Sequence, residues 1–221
     1  MSDEWAKTAG KGIDAGRELG QFLAPIVKAP LENAMGIVAD KLAYMRWERQ
    51  QRLMKRAHEF MLEQGIEQPT RAVPMNIAIS LMQAASMEED DVLQDTWARL
   101  LVNAIDADSG VDVKRSFVSI LSELTPVEVR ILHLMHEGSE RNPLESFYTY
   151  ALPDSLMPYP TKVPIPKEVQ VVEENVHVAL WNLVRLGCIC SHAIEQQVVH
   201  LVSLTALGRA FVKACTLNPK S

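Results

Sequence analysis

Residues 175–189 run Asn-Val-His-Val-Ala-Leu-Trp-Asn-Leu-Val-Arg-Leu-Gly-Cys-Ile, and residues 204–211 run Leu-Thr-Ala-Leu-Gly-Arg-Ala-Phe. In the first run Val176, Leu180, Leu183, Val184 and Leu186 recur at spacings of three and four, which places them on one face of a helix. Gly187 stands where that helix must stop, because a C-cap needs positive φ and glycine has no Cβ to oppose it. Two β-prone runs follow, Cys188–Ile194 and Val198–Leu204, joined by Glu195-Gln196-Gln197. Thr205 is placed to N-cap a last helix carrying Leu207, Phe211 and Val212. Helix, hairpin, helix is the layout of a winged-helix half-domain. Trp181 here and Trp97 upstream lie on apolar helical faces, and both are expected in the core.

Upstream the pattern is helical. Residues Asp40–Gln64 carry Leu42, Met45, Leu53, Ala57, Phe60 and Met61 at helical intervals, with Gly65 as the stop. Pro69 and Pro74 bracket a short connection, and a helix is expected from Met75 to Ala85. Ser86-Met-Glu-Glu89 has the form of a capping box opening the next helix. Its apolar face is Leu93, Trp97, Leu100, Leu101 and Ala104. After the polar turn Asp106–Asp112, Phe117, Ile120, Leu121 and Leu124 mark a short helix. Thr125-Pro126-Val127-Glu128 then gives an N-cap, a proline at the first helical position and a box-closing Glu. That helix runs to Gly138. Six of the twelve prolines fall between Ser139 and Glu174, so an irregular excursion is expected there. Leu144–Leu152 fits a short helix or a strand equally well.

The chain has 221 residues, 48% of them hydrophobic. That is enough for one large or two small domains with a real core. The net charge of -6 argues against a general nucleic-acid binder, whose surface would be basic. Three cysteines cannot form a paired framework, which favours a reducing, cytoplasmic setting. The start lacks the pattern of a signal peptide. No apolar run approaches the roughly 18–20 residues that span a bilayer.

Several clusters invite a functional reading. Gly12, Gly16 and Gly20 recur every four residues beside Phe22 and Leu23. Glycine costs about 1 kcal/mol against alanine inside a helix, so this stripe suggests close approach to another helix or a surface. A membrane surface would want a basic face, and here Asp3, Glu4, Asp14, Glu18 and Glu32 outnumber Lys7, Lys11, Arg17 and Lys28. Between Lys41 and Arg56 six bases, Arg46, Arg49 and Arg52 among them, face one acid, Glu48. Glu88, Glu89, Asp90, Asp91 and Asp95 crowd the first turns of the helix opened by Ser86, where the helix dipole favours negative charge. For the bases, the simplest reading is a solvated face that pairs with the acidic middle of the chain. Phosphate contact is the sharper alternative. The acidic run is not a metal site, because consecutive helical residues fan around the axis. His133, His136 and Glu137 lack the i, i+4 histidine pair of a zinc helix. Cys188, Cys190 and His192 offer too few ligands for a soft metal. The two thiols should share one strand face and pack as buried groups. There is no nucleophile elbow, phosphate loop, dinucleotide fingerprint or zinc signature.

Taken in order, these pieces resemble the Abi-alpha proteins, bacterial proteins linked to abortive infection, a form of phage defence. The resemblance rests on the Gly-containing helix before Asp40-Lys41-Leu42-Ala43-Tyr44-Met45-Arg46, and on Trp97-Ala98-Arg99-Leu100-Leu101-Val102-Asn103-Ala104. It continues through Ser116–Glu128, Asn182–Gly187 and Leu204–Phe211. Lys114-Arg115 stands where a His-Pro pair is usual. The resemblance implies a role in defence and supplies no catalytic residues.

The expected fold is therefore mainly α. A Gly-rich amphipathic segment (1–39) precedes a helical domain (40–112) and a winged-helix-like domain (113–221) with one small β-hairpin and a Pro-rich insertion at 139–174. The expected function is non-enzymatic phage defence through contacts with protein, a second copy or the membrane surface. No cofactor, metal or small-molecule substrate is implied. The candidate interaction surface comprises Gly12, Gly16, Gly20, Phe22, Leu23, Arg46, Arg49 and Arg52. The competing reading is a nucleic-acid-binding winged-helix regulator. Its recognition helix would be Glu173–Gly187, where Glu173 and Glu174 against Arg185 repel phosphate.

Overall fold

The computed structural model describes residues 36–139, 145–159, 172–195 and 198–217. The expected Gly-rich segment lies outside the described residues up to residue 35, and so do 140–144 and 160–171 of the Pro-rich insertion. Among the described residues seven α-helices and a four-stranded antiparallel sheet form two compact units. One holds the described residues through Ser122 together with those from Ala214 onward; the other is Glu123–Lys213.

The first unit contains α1 (Gly36–Glu63), α2 (Met75–Ala85), α3 (Asp91–Ile105) and α4 (Arg115–Leu121). Helix α3 has eleven of its fifteen residues buried, so it is the helix around which the others pack. Leu53, Ala57, Phe60 and Met61 of α1 are buried, as are Leu93, Trp97, Leu100 and Leu101 of α3. Full burial of each large apolar side chain contributes about 1.5–3 kcal/mol. Arg99 and Arg56 place their guanidinium groups 4.9 and 5.5 Å from the Phe60 ring centre, a cation–π arrangement at the edge of this core. The last carbonyls of α3 are satisfied by Arg71. Its Nε donates to Ala104 O at 3.0 Å, and its Nη2 to Asn103 O at 2.6 Å and Val111 O at 3.1 Å. A cation there also suits the helix dipole. The side-chain amide of Asn103 donates to Ala214 O at 2.8 Å and Thr216 O at 2.9 Å.

The second unit contains α5 (Pro126–Gly138), β1 (Ser146–Tyr148), β2 (Met157–Tyr159), α6 (Glu174–Arg185), β3 (Ile189–Glu195), β4 (Val198–Leu204) and α7 (Ala206–Ala214), whose final residue is counted with the first unit. The strand order is β2-β1-β4-β3. Helix α5 opens with the expected capping box between Thr125 and Glu128. Helix α6 is closed by Leu186 and then Gly187, whose φ is 72°. Thr205 Oγ1 accepts from Gly208 N at 2.9 Å and donates to Gly187 O at 2.6 Å, starting α7. Phe147, Leu180, Leu183, Val199, Val202 and Phe211 fill the core.

Four expectations are corrected. The helix after α2 is capped by Asp90, whose carboxylate accepts from Val92 N and Leu93 N. Ser86 instead closes α2, its Oγ donating to Gln83 O at 2.7 Å. Trp181 is 39% exposed. The buried stripe of α6 is Val176, Ala179, Leu180 and Leu183, and a residue next to Leu180 is rotated about 100° away from it. The β-structure exceeds one hairpin, because two short strands from the Pro-rich insertion join it. Cys188 is fully buried, but Cys190 is only half-buried. Cys188 precedes β3, where its amide donates to Leu183 O, so the two thiols do not share one buried face.

Candidate interaction surfaces

The arginine-rich face of α1 is the first candidate. Arg46 is exposed. Arg49 pairs with Glu89 and also donates to Met87 O. Arg52 reaches Asp91 at 3.1 Å and Glu48 at 3.3 Å. Arg56 grips Asp95 with two parallel bonds of 2.6 Å, Nε to Oδ1 and Nη2 to Oδ2, and bonds Glu59 at 3.1 Å. The hydrogen bond to Asp95, then that to Glu59, raises the Arg56 guanidinium further above its usual range. Residues 49, 52 and 56 thus meet 89, 91 and 95 in register. The bases of α1 are matched by acids at the start of α3, as a solvated charged face would be. Gly12, Gly16, Gly20, Phe22 and Leu23 lie outside the described residues.

The second candidate is the outward side of α6. Val178 is 65% exposed, and Trp181 stands one turn further along. The indole Nε1 donates to His177 Nε2 at 2.9 Å, which fixes the ring against its own helix. Arg185 pairs with Glu123 and bonds Asn182 Oδ1. The basic residue of this helix is therefore tied to an acid, and Glu173 and Glu174 remain exposed at its start.

The third candidate is the face of the sheet turned away from the core, where Tyr159 is exposed, Ser146 and Cys190 are half-buried and Ser203 is buried. Phe147 and Val202 are register partners and point into the core. By strand alternation, their neighbours face the other way. Tyr159, Ser146, Ser203 and Cys190 follow one another as cross-strand partners from β2 to β3. Tyr148 lies in the next row, between Met157 and Leu201. Its ring centre is 5.5 Å from Tyr159 and 5.2 Å from Tyr150. At the other end of the first row Ser203 Oγ sits 3.1 Å from Cys190 Sγ and 2.7 Å from His192 Nε2. Cys190 Sγ and His192 Nε2 are 3.5 Å apart. The register shifts between Ser191 and Ala193, and such a bulge re-aims a side chain. Cys190 and His192 were visible in the sequence as neighbours. Ser203 was not, because cross-strand register has no local signature.

Among the described residues no group of three or more His, Cys, Asp or Glu side chains converges as a metal site would require. No helix among them is long and apolar enough to cross a membrane. A family model described as abortive infection alpha matches residues 48–215. The chain belongs to that family. Comparison with curated proteins and with solved structures returned no significant match. The stretch matched to abortive infection alpha takes in Arg49 and Arg52, the outward side of α6 and that sheet face. It begins after Arg46 and the glycine stripe.

Proposed function

We propose that this abortive infection alpha protein acts in phage defence without catalysis, by docking a protein partner on the outward side of α6. Membership in the family supports the abortive infection role. The observation that carries the contact reading is the exposure of Val178 and Trp181 side by side on one helix. An aromatic and a branched aliphatic residue left together at a surface are typical of protein contacts rather than of phosphate contacts.

The order of elements supports a winged-helix-like second unit. Helix α5 is followed by β1 and the short β2, then α6, then the β3–β4 hairpin, with β1 paired to β4. In a nucleic-acid-binding use of that layout, α6 would enter a groove. Its charges oppose this, since Arg185 is already paired and Glu173 and Glu174 are exposed. On sequence grounds the contact surface extends to Gly12, Gly16, Gly20, Phe22 and Leu23, in the cytoplasm or against the membrane surface.

Phage challenge of cells carrying the wild type and the double variant Val178→Asp, Trp181→Glu tests the proposal. Loss of protection with an unchanged melting temperature is the expected result. Full protection by the variant overturns it. Tight, salt-sensitive binding of DNA or RNA in a low-salt gel shift would favour the regulator reading instead.

A further inference from the structure

The cluster of Cys190, His192 and Ser203 has no part in the contact reading. Three features distinguish it from ordinary thiol packing. Cys190 is the one of the three cysteines that is not buried. Its sulfur is in reach of an exposed imidazole, that of His192. Between them lies the Ser203 hydroxyl, 3.1 Å from the sulfur and 2.7 Å from the imidazole nitrogen. A hydroxyl so placed can accept from the thiol, which also reaches Ser203 O at 3.8 Å, and donate to the imidazole, so it is positioned as a proton relay. The bulge at His192 creates this arrangement, since the register passes from Ser191 opposite Val202 to Ala193 opposite Leu201.

We propose that Cys190 is a site of two-electron oxidation by hydroperoxides, with His192 carrying the proton. The thiol proton moves through Ser203 Oγ to His192 Nε2, because the thiolate is the nucleophilic form. The sulfur then attacks one peroxide oxygen. An S–O bond forms and the O–O bond breaks. The departing oxygen takes the proton back from the imidazolium and leaves as water when the oxidant is hydrogen peroxide. Sulfur loses two electrons, the peroxide gains them, and Cys190 becomes a sulfenic acid. Cys188 and Cys215 are both buried, so neither is presented on the face that carries Cys190 to resolve the product as a disulfide. The modification is stoichiometric and changes the polarity of the row that runs from Cys190 to Tyr159.

Hydrogen peroxide with dimedone, followed by peptide mass spectrometry on the full chain, tests this. The expected result is a dimedone adduct on Cys190 and none on Cys188 or Cys215. His192→Gln should slow labelling about 100-fold, the low end of what one proton-transferring group contributes. Ser203→Ala should give a smaller loss, and Cys190→Ser should abolish it. A second measurement needs no variant: Cys190 should react with iodoacetamide faster in the folded chain than in urea. Absence of the wild-type adduct overturns the proposal. Wild-type labelling rates in folded His192→Gln, or a slower alkylation in the folded chain than in urea, overturn it equally.

Discussion

Asn182 on α6 donates its side-chain amide to the carboxylate of Glu128 on α5 at 2.5 Å, and that carboxylate is almost wholly buried. Its other oxygen accepts from Thr125 N, also at 2.5 Å. One acid therefore both closes the start of α5 and fastens α6 to it. Glu128→Ala leaves the Thr125 amide without its acceptor and the Asn182 amide with only Glu123 O, at 3.0 Å, and the expected cost is about 1–3 kcal/mol. The check is urea unfolding, where the midpoint should fall at constant slope. A loss below about 0.5 kcal/mol, the scale of a plain surface change, would contradict the role given to this carboxylate.

The two core candidates among the tryptophans should behave differently. Trp97 is 1% exposed, so Trp97→Ala should cost about 3–5 kcal/mol. Trp181 keeps much of its ring in solvent, so Trp181→Ala should cost about 1 kcal/mol or less. Thermal unfolding of the two variants side by side measures the contrast. Equal losses would place Trp181 in the core after all.

Gly208 is required by space. A Cβ there would stand 2.0 Å from the carbonyl oxygen of Cys188, which is backbone and cannot swing aside. Gly208→Ala should therefore cost about 1–3 kcal/mol by overpacking, despite alanine's better helix propensity. A variant of unchanged or raised melting temperature would show that α7 does not approach Cys188 so closely.

Cys188 gives stability a dependence on alkaline pH. Burial, and secondarily the Glu128 carboxylate, push its thiol up from about 9 to about 11. The folded state keeps the thiol neutral where the unfolded chain ionises. Its contribution is complete below about pH 9 and is lost between about 9 and 11, by up to about 1.4 kcal/mol per pH unit. Stability of the wild type minus that of Cys188→Ala, followed from pH 8 to 11, should fall with pH. A flat difference would refute the assignment.

The fork between Arg56 and Asp95 is partly exposed, with 41% of the arginine side chain and 22% of the aspartate side chain accessible. After screening by solvent, Asp95→Asn should cost about 1 kcal/mol. The loss should shrink as salt is raised. Urea titrations at low and high salt decide this, and a salt-independent loss would point to packing against Phe60 instead.

Much of the fold was legible because its signals are local. Gly187 and the run Thr125-Pro126-Val127-Glu128 act through their own backbone, so neighbours hardly alter their meaning. Val198–Leu204 is bounded in the structure as its β-prone run suggested. Where partners decided, the sequence was ambiguous. The capping-box pattern places the cap at Ser86, four residues before Asp90, which fills the role. Gln94 bears on the choice, since its amide donates to Ala85 O at 3.0 Å and Glu88 O at 2.9 Å and so holds the turn between them as a link. Trp181 sits beside an apolar stripe wide enough to include it, and only the packing of α6 assigns it to solvent. The row from Tyr159 to Cys190 joins residues far apart in the chain through register, which composition and periodicity do not encode.

The bonds from Asn103 to Ala214 O and Thr216 O tie the middle of the chain to residues more than a hundred positions later. The first unit is consequently discontinuous: Glu123–Lys213 is inserted within it. During synthesis the ribosome releases the inserted unit before it releases Ala214 and Thr216. Asn103 therefore waits, its buried amide without these acceptors, until translation has passed Thr216. A chain ending at Lys213 would hold every residue of the inserted unit and still leave the earlier-made unit short of these two acceptors.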